Sequence, residues 1–425
     1  MIRHICKIIW NERKANGLIV LEYIVVFCIL WFCVDYLYYV GRCFSEPLGY
    51  NIENIYIIQM GQRDSQSEIT GEPELTEDDL YNYAVTLLDR LKQYPDIENA
   101  SLSHAGIPYG FSQAANHYFI DSDSVPETLF VKWVTSDFFD VFRMNIEGNT
   151  FNWGDKSSEK LVLISPDRTG SFGEYPDAKH TVKNVKTLRF NHDDEEPFRV
   201  IGTVNKVKDS FVDPYRSTIF QPMNRAQLNL TEIQIAVRVK PGTGKNFEKR
   251  FSEEMRAQLN IGPFFLASVN SLNRIKENAL ELMQINNELN SVYAITSFLI
   301  INIFLGLIGT FWYRTQSRRS EIGLRIALGA TKRKIKGFMY TETLLLLFVS
   351  SLVAANICVN VGQTELLKTI GVPLADSVRI GGGIEQGFIN YLLTFFFMAI
   401  VSLIAVWYPA KQSSDMHPAE ALHEE

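Results

Sequence analysis

At 425 residues the chain is long enough for more than one domain, and its 46% apolar and 21% charged residues are nearly ordinary for a folded protein. A net charge of -7, and five cysteines without metal-ligand spacing, exclude a basic nucleic-acid binder, a zinc module and a disulfide scaffold. What is informative is how unevenly apolar and charged residues are distributed.

The first 16 residues, MIRHICKIIWNERKAN, carry +3 and alternate cations with Ile2, Ile5, Ile8 and Ile9. This predicts a cytoplasmic amphipathic helix over 1–16 lying in the inner interface. An apolar run at 17–40 follows and ends in Asp35-Tyr-Leu-Tyr-Tyr39 without a small-residue cleavage site, so it reads as an uncleaved first span rather than a signal peptide. Glu22 and Asp35 lie toward its ends and are expected to reach the headgroups; the alternative is that they face other helices and serve assembly or gating.

Residues 41–290 carry about -10 and form a soluble block, the expected extracytoplasmic domain being 41–271. Leu80, Tyr83, Ala84, Leu87, Leu88 and Leu91 fall on one helical face, with Thr76 as cap and Pro95 as stop. A second helix is predicted over 246–259, where Phe247, Phe251, Met255 and Leu259 recur every four residues. Strand patterns occur at Leu129-Val131-Trp133, at 161–164, at 198–204 and at Ile233-Ile235-Val237-Val239. The mixture implies an α+β domain of two lobes, with the junction expected in the polar stretch 152–195.

From Leu272 a helical period runs without Pro or Gly into the second span, which predicts a stalk helix over 272–290. Continuous through Tyr313, it would be about 60 Å long; the alternative is a core helix followed by a linker. Uncharged runs at 291–313, 343–364 and 387–408 each meet the roughly 20 residues needed to cross a bilayer. With the first run they make four spans, a short outer loop at 365–386 and a cytoplasmic tail at 409–425. Trp10, Trp31, Trp312 and Trp407 lie near span ends, as interfacial anchors do.

The loop at 314–342 holds the most distinctive stretch. Between 314 and 336 it has eight Lys or Arg against the single acid Glu321, a bias that places it in the cytoplasm. Ser320 is the expected N-cap of a short helix, Glu321 suits its first turn, and Gly329 can take the left-handed conformation that ends it. A helix of about two turns is unstable alone in water. It therefore packs either on its own membrane helices or, knob into groove, on a cytosolic partner.

The sequence SEIGLRIALGATKRKI resembles the signature of FtsX-like or MacB-type ABC transporter permeases, contiguously over 321–330. In that family an E-I-G-L-R-x-A-L-G-A element follows the second span and docks on an ATPase. The resemblance thus implies coupling roles for Glu321, Ile322, Gly323, Leu324, Arg325, Ala327, Leu328, Gly329 and Ala330. VKWVTSDFFDVFRMNIEGNTF and FRVIGTVNKVKDSF resemble, more loosely, segments of the family's outer domain. The tail resembles the family at Pro409, Ala410, Pro418, Ala421, Leu422 and Glu425, and His423 stands where an Arg is common. The implied fold is an α-helical membrane protein with four transmembrane helices and a large α+β extracytoplasmic, MacB-type periplasmic domain between spans one and two.

Chemistry of its own is not legible in the chain. PGTGKNF at 241–247 fails the phosphate-loop pattern at Val239 and Asn246, and reads as a turn. His192-Asp193-Asp194 sits in a charge run whose adjacent residues do not converge. Asn99-Ala-Ser101 and Asn229-Leu-Thr231 are glycosylation sequons without meaning in the bacterial protein that the resemblance implies. The expectation is a non-enzymatic permease subunit of the bacterial inner membrane, binding no cofactor directly and using ATP and Mg through a separate cytosolic ABC ATPase. Expected partners are a second permease copy or paralogue, membrane lipid and either a membrane-fusion protein with an outer-membrane channel or a periplasmic hydrolase; nucleic acid is not among them. A sensor or scaffold signalling through the inner loop is the alternative.

Overall fold

The computed structural model of the chain describes residues 9–11, 13–63, 75–110, 112–147, 160–167, 172, 180–191, 196–225, 228–243, 246–282, 284–363 and 383–415. It divides into two units, Cys43–Ile285 and the paired segments Met1–Arg42 and Asn286–Glu425. Most of the predicted N-terminal helix, most of the outer loop and the tail beyond residue 415 lie outside the described residues.

The outer unit is α+β. Strand β1 (Ile55–Gln62), helix α2 (Glu77–Gln93), strand β2 (Ile97–His104), strand β10 (Gln234–Val239), helix α4 (Phe247–Met255) and strand β11 (Phe264–Ser271) form two βαβ halves. Their strands pair antiparallel in the order β11-β1-β10-β2, the arrangement of a split βαβ fold. Alternation along β1 sends Ile58 and Met60 to the face covered by both helices, and Ile55 and Ile57 to the other. The helices form where the apolar spacing predicts. Ala84, Leu87 and Leu91 of α2 are buried, and Thr76 closes a capping box with Asp79. Helix α4 is shorter than predicted, stopping at Met255, yet Leu259 beyond it is still buried in the same core.

The second lobe is inserted between β2 and β10. Strands β3 (Ala114–Ile120), β4 (Glu127–Val134), β6 (Leu161–Ser165), β7 (Thr187–Arg189), β8 (Phe198–Val204) and β9 (Thr218–Pro222) form a ring, β9 returning to pair in parallel with β4. Strand β5 (Ile146–Glu147) adds to β8. Tyr118, Leu129, Val131, Ile164, Leu188 and Ile219 fill a core of their own. The lobe junction therefore does not lie at 152–195 as expected, because the strands in the described parts of that stretch, β6 and β7, both belong to the ring. The chain instead passes between lobes after β2 and again before β10.

Both loosely family-like outer segments fall at structurally demanding places. In VKWVTSDFFDVF the short helix α3 (Asp137–Val141) buries Phe138, Phe139 and the following Phe142 against the open face of the β1–β10 sheet. The rings of Phe138 and Phe142 are 4.6 Å apart, and Tyr50 meets Phe142 edge-on at 5.4 Å. In NKVKDSF, Lys208 is buried and donates to the carbonyls of Cys43 at 2.5 Å and Glu46 at 3.1 Å. Arg238 alternates onto the same open sheet face, and its guanidinium donates to the carbonyls of Val141, Glu53 and Asn51. A buried charge is tolerated only when its donors are matched in this way.

In the other unit, helices α1 (Arg13–Ser45), α6 (Ile285–Ser317), α8 (Lys332–Gln363) and α9 (Gly383–Asp415) are each long and apolar enough to cross a membrane. Their common core includes Phe27, Leu30, Leu307, Leu347 and Met398, with small residues such as Ala354 and Ala405 where helices approach closely. Glu22 and Asp35 do not snorkel as expected. Glu22 packs against Gly306 of α6, where a side chain would occupy the carboxylate's space, and Asp35 accepts a hydrogen bond from the buried Asn390 of α9. Asp35 is thereby matched inside the bundle, at less desolvation cost than an unpaired charge would carry, while Glu22 is partly buried against α6.

The continuous stalk is also corrected. The helical run from Leu272 ends at Leu282 (α5), Gln284 adopts φ +53°, and α6 begins at Ile285. A residue in that left-handed region interrupts the i to i−4 hydrogen-bond ladder, so no single rod runs from 272 to 313.

Candidate docking site

Helix α7 (Arg319–Ala327) occupies the basic loop. Its start differs from the prediction: the N-cap position is Arg318, with φ −107° and no side-chain cap bond, and Ser320 already lies inside the helix. Its end is as the spacing predicts. Gly329 has φ +90°, its N–H donates to Ile326 O at 2.9 Å, and the N–H of Ala330 donates to Arg325 O at 2.9 Å. These two bonds make a Schellman cap, which needs a residue free of a Cβ at the left-handed position.

The element has two faces. Ile322 is 7% exposed and Gly323 is buried, whereas Leu324 is 52% and Leu328 80% exposed. On the inner face three side chains at helical spacing moor α7 to α8. Arg318 reaches Glu342 at 3.3 and 3.4 Å, Ile322 packs between, and the Arg325 guanidinium stands 4.8 Å from the Phe338 ring centre. Arg325 also pairs with Glu321 one turn back. Glu342 is 3% exposed, so its pairing with Arg318 neutralises a carboxylate that would otherwise be stranded beside the membrane span. The outer face, with Leu324, Ala327, Leu328 and Gly329, is unburied apolar surface flanked by cations. Self-packing and partner docking are thus not exclusive: one face does the first and leaves the other free for the second.

The remaining predicted positions are not gathered here. Pro409 and Ala410 are buried within α9, which runs on to Asp415 instead of ending at 408, and Ser413 of that extension donates to the Pro409 carbonyl at 2.8 Å. Pro418, Ala421 and Leu422 lie outside the described residues. Lys332 pairs with Asp415 at 2.7 Å, linking the start of α8 to the end of α9. The residue missed from sequence is Glu342, read there only as the last position of the loop. The available signal was an isolated acid at the edge of an apolar run. No cluster of three or more His, Cys, Asp or Glu that could hold a metal occurs among the described residues.

Valine at position 329 tests the local geometry. Forcing a β-branched residue to φ +90° costs roughly 1–2 kcal/mol. Gly329→Val is therefore expected to speed amide exchange over 324–330 by roughly 5–30-fold. Unchanged protection there would show that the cap does not hold α7.

A basic loop carrying a short two-faced helix between the second and third of four apolar spans, joined in one chain to a large α+β domain, defines a multi-span membrane protein with a large domain outside the membrane helices. A family model described as FtsX-like permease C-terminal matches residues 293–418, and one described as MacB-like periplasmic core domain matches residues 42–252. The chain belongs to the FtsX-like, MacB-type family of ABC transporter permeases. It is similar to the macrolide export ATP-binding/permease protein MacB of Escherichia coli K12, 23% identical over 304 residues, covering 69% of this chain and 43% of that protein. The MacB of Bdellovibrio bacteriovorus is 28% identical over 156 residues, covering 35% of this chain and 22% of that protein. The chain thus spans less than half the length of these curated relatives. Among solved structures, the periplasmic region of MacB from Actinobacillus actinomycetemcomitans is similar at 16% identity and TM-score 0.32, covering 56% of this chain and 97% of that one. The extracellular domain of YknZ, a transporter from Gram-positive bacteria, gives 16% identity and TM-score 0.31, covering 50% and 100%.

Proposed function

We propose that this chain is the transmembrane subunit of a MacB/FtsX-like ABC complex in the bacterial inner membrane, with its termini and α7 in the cytoplasm and its large domain in the periplasm. The chain itself does no chemistry. A separate ABC ATPase grips residues 321–330, and ATP with Mg acts in that partner. The single observation that carries this reading is the division of α7 into a moored face and an exposed Leu324/Leu328 face. Two exposed leucines on one helix face set among cations leave apolar surface in water, and helix-in-groove contact would bury it.

Because α7 is fastened to α8 through Arg318–Glu342 and Arg325–Phe338, movement imposed on it enters span three directly. Two such subunits, identical or paralogous, pair over two ATPases. The work done is export from the outer side or mechanical transmission across the envelope to a membrane-fusion protein, a hydrolase or a lipoprotein client. The relatives' printed name favours export. Affinity purification of the full chain in mild detergent is expected to bring down one ABC ATPase in stoichiometric amount. Its absence, with the membrane unit intact by limited proteolysis, would overturn the reading.

A further inference from the structure

Beneath α7 lies an open pocket of about 240 Å³ lined by residues of α6, α7 and α8. Its walls are apolar: Phe311, Ile322, Ile335, Phe338 and Met339 contribute most of them. Its rim is charged. Arg318, Arg325 and Lys334 line it, and Glu342 is the one acid among the lining residues. That carboxylate is paired with Arg318, and Arg325 shares its charge with Glu321. Lys334, exposed on the first turn of α8, leaves the rim positive. The mouth lies near the Lys332 end of α8, a helix long and apolar enough to cross a membrane, where such a helix would meet the headgroups.

We propose that this cavity takes one acyl chain of an anionic phospholipid, with the headgroup phosphate against Lys334 and Arg325. The apolar lining suits a hydrocarbon chain, whose burial there removes apolar surface from water. Sites for drug-sized ligands run to about 300–1,000 Å³, and this one is smaller, with room for one segment of a single chain. The cations select the headgroup's charge, each contributing roughly a fivefold preference near a membrane surface. A chain lodged there supports the underside of α7 and keeps Leu324 and Leu328 turned outward. The site is independent of what α7 binds, so its test does not involve the ATPase.

The test is native mass spectrometry of the full chain, delipidated in detergent and then offered equal amounts of phosphatidylglycerol and phosphatidylcholine with the same acyl chains. Wild type is expected to retain phosphatidylglycerol preferentially, and Lys334→Gln to lower that preference about fivefold. Arg333→Gln, one residue away and outside the cavity lining, should leave it unchanged. Ile335→Trp, which fills the chamber, should reduce retention of both lipids. Equal retention of the two lipids by wild type, or equal effects of the Arg333 and Lys334 substitutions, would overturn the proposal. Because Ile335→Trp can fail to fold, the Arg333 and Lys334 comparison decides the matter by itself.

Discussion

Replacing Leu324 and Leu328 together by Asp is expected to abolish capture of the ATPase while leaving the chain inserted and its outer domain folded. Both side chains are already exposed, at 52% and 80%, so neither supports the core of its own unit. Surface substitutions of that sort typically change stability by about 0.5 kcal/mol or less. Against a partner's groove the arithmetic differs. Each buried leucine contributes roughly 1.5–3 kcal/mol, and each introduced carboxylate must be desolvated as well, so the loss of affinity should be about a hundredfold or more. The measurement is the amount of ATPase recovered with the tagged variant, beside membrane fractionation and the proteolytic pattern of the outer domain. Undiminished recovery would remove the docking role from α7.

The second large effect is expected in the outer unit, from Asp209→Ala. Lys132 of β4 is buried there, its ammonium 2.5 Å from Asp209 and 3.0 Å from the carbonyl of Ala105. Their side chains are only 5% and 13% exposed. The ammonium thus joins a ring strand to two loops: one leaves β2 through Ala105 and Tyr109 at φ +54° and +62°, and the other follows β8. Removing one member of a buried pair leaves the other charge uncompensated, at a cost of about 3–5 kcal/mol. For a domain of this size that lowers the unfolding midpoint by roughly 6–20 °C. Lys132→Met combined with Asp209→Leu should recover most of the loss, since it replaces the pair with apolar volume. Thermal unfolding of the full chain in detergent reads both. A shift of a degree or less in Asp209→Ala would mean that the ammonium finds another partner or that water reaches it.

The reading of α7 from sequence illustrates what local chemistry can and cannot specify. Its stop at Gly329 was legible because a left-handed cap selects glycine within a few residues of the helix it ends. Its start was not. Ser320 has the side chain of an N-cap, but the chain leaves helical geometry two residues earlier, at Arg318, where the guanidinium is held by Glu342 twenty-four positions away. The break at Gln284 is a similar case, since neither Gly nor Pro marks it. Periodicity from Leu272 continues through it, so a continuous helix and a core helix followed by a linker were equally open from the sequence. The lobe junction was misplaced for another reason: a polar, turn-rich stretch looks like a linker, although its apolar fragments pair with strands remote in sequence.

The four spans, the amphipathic α2, the apolar face of α4 and the glycine stop of α7 were determined by the sequence alone, because each depends on spacing, capping or hydropathy within a window of about 20 residues. Only the tertiary structure decided that Glu22 and Asp35 turn inward, that Glu342 anchors α7, and that the ring lobe is inserted within a split βαβ sheet. Those outcomes depend on partners far along the chain, such as Asn390 for Asp35. A buried charge or an unpaired strand carries no mark of which distant group will satisfy it.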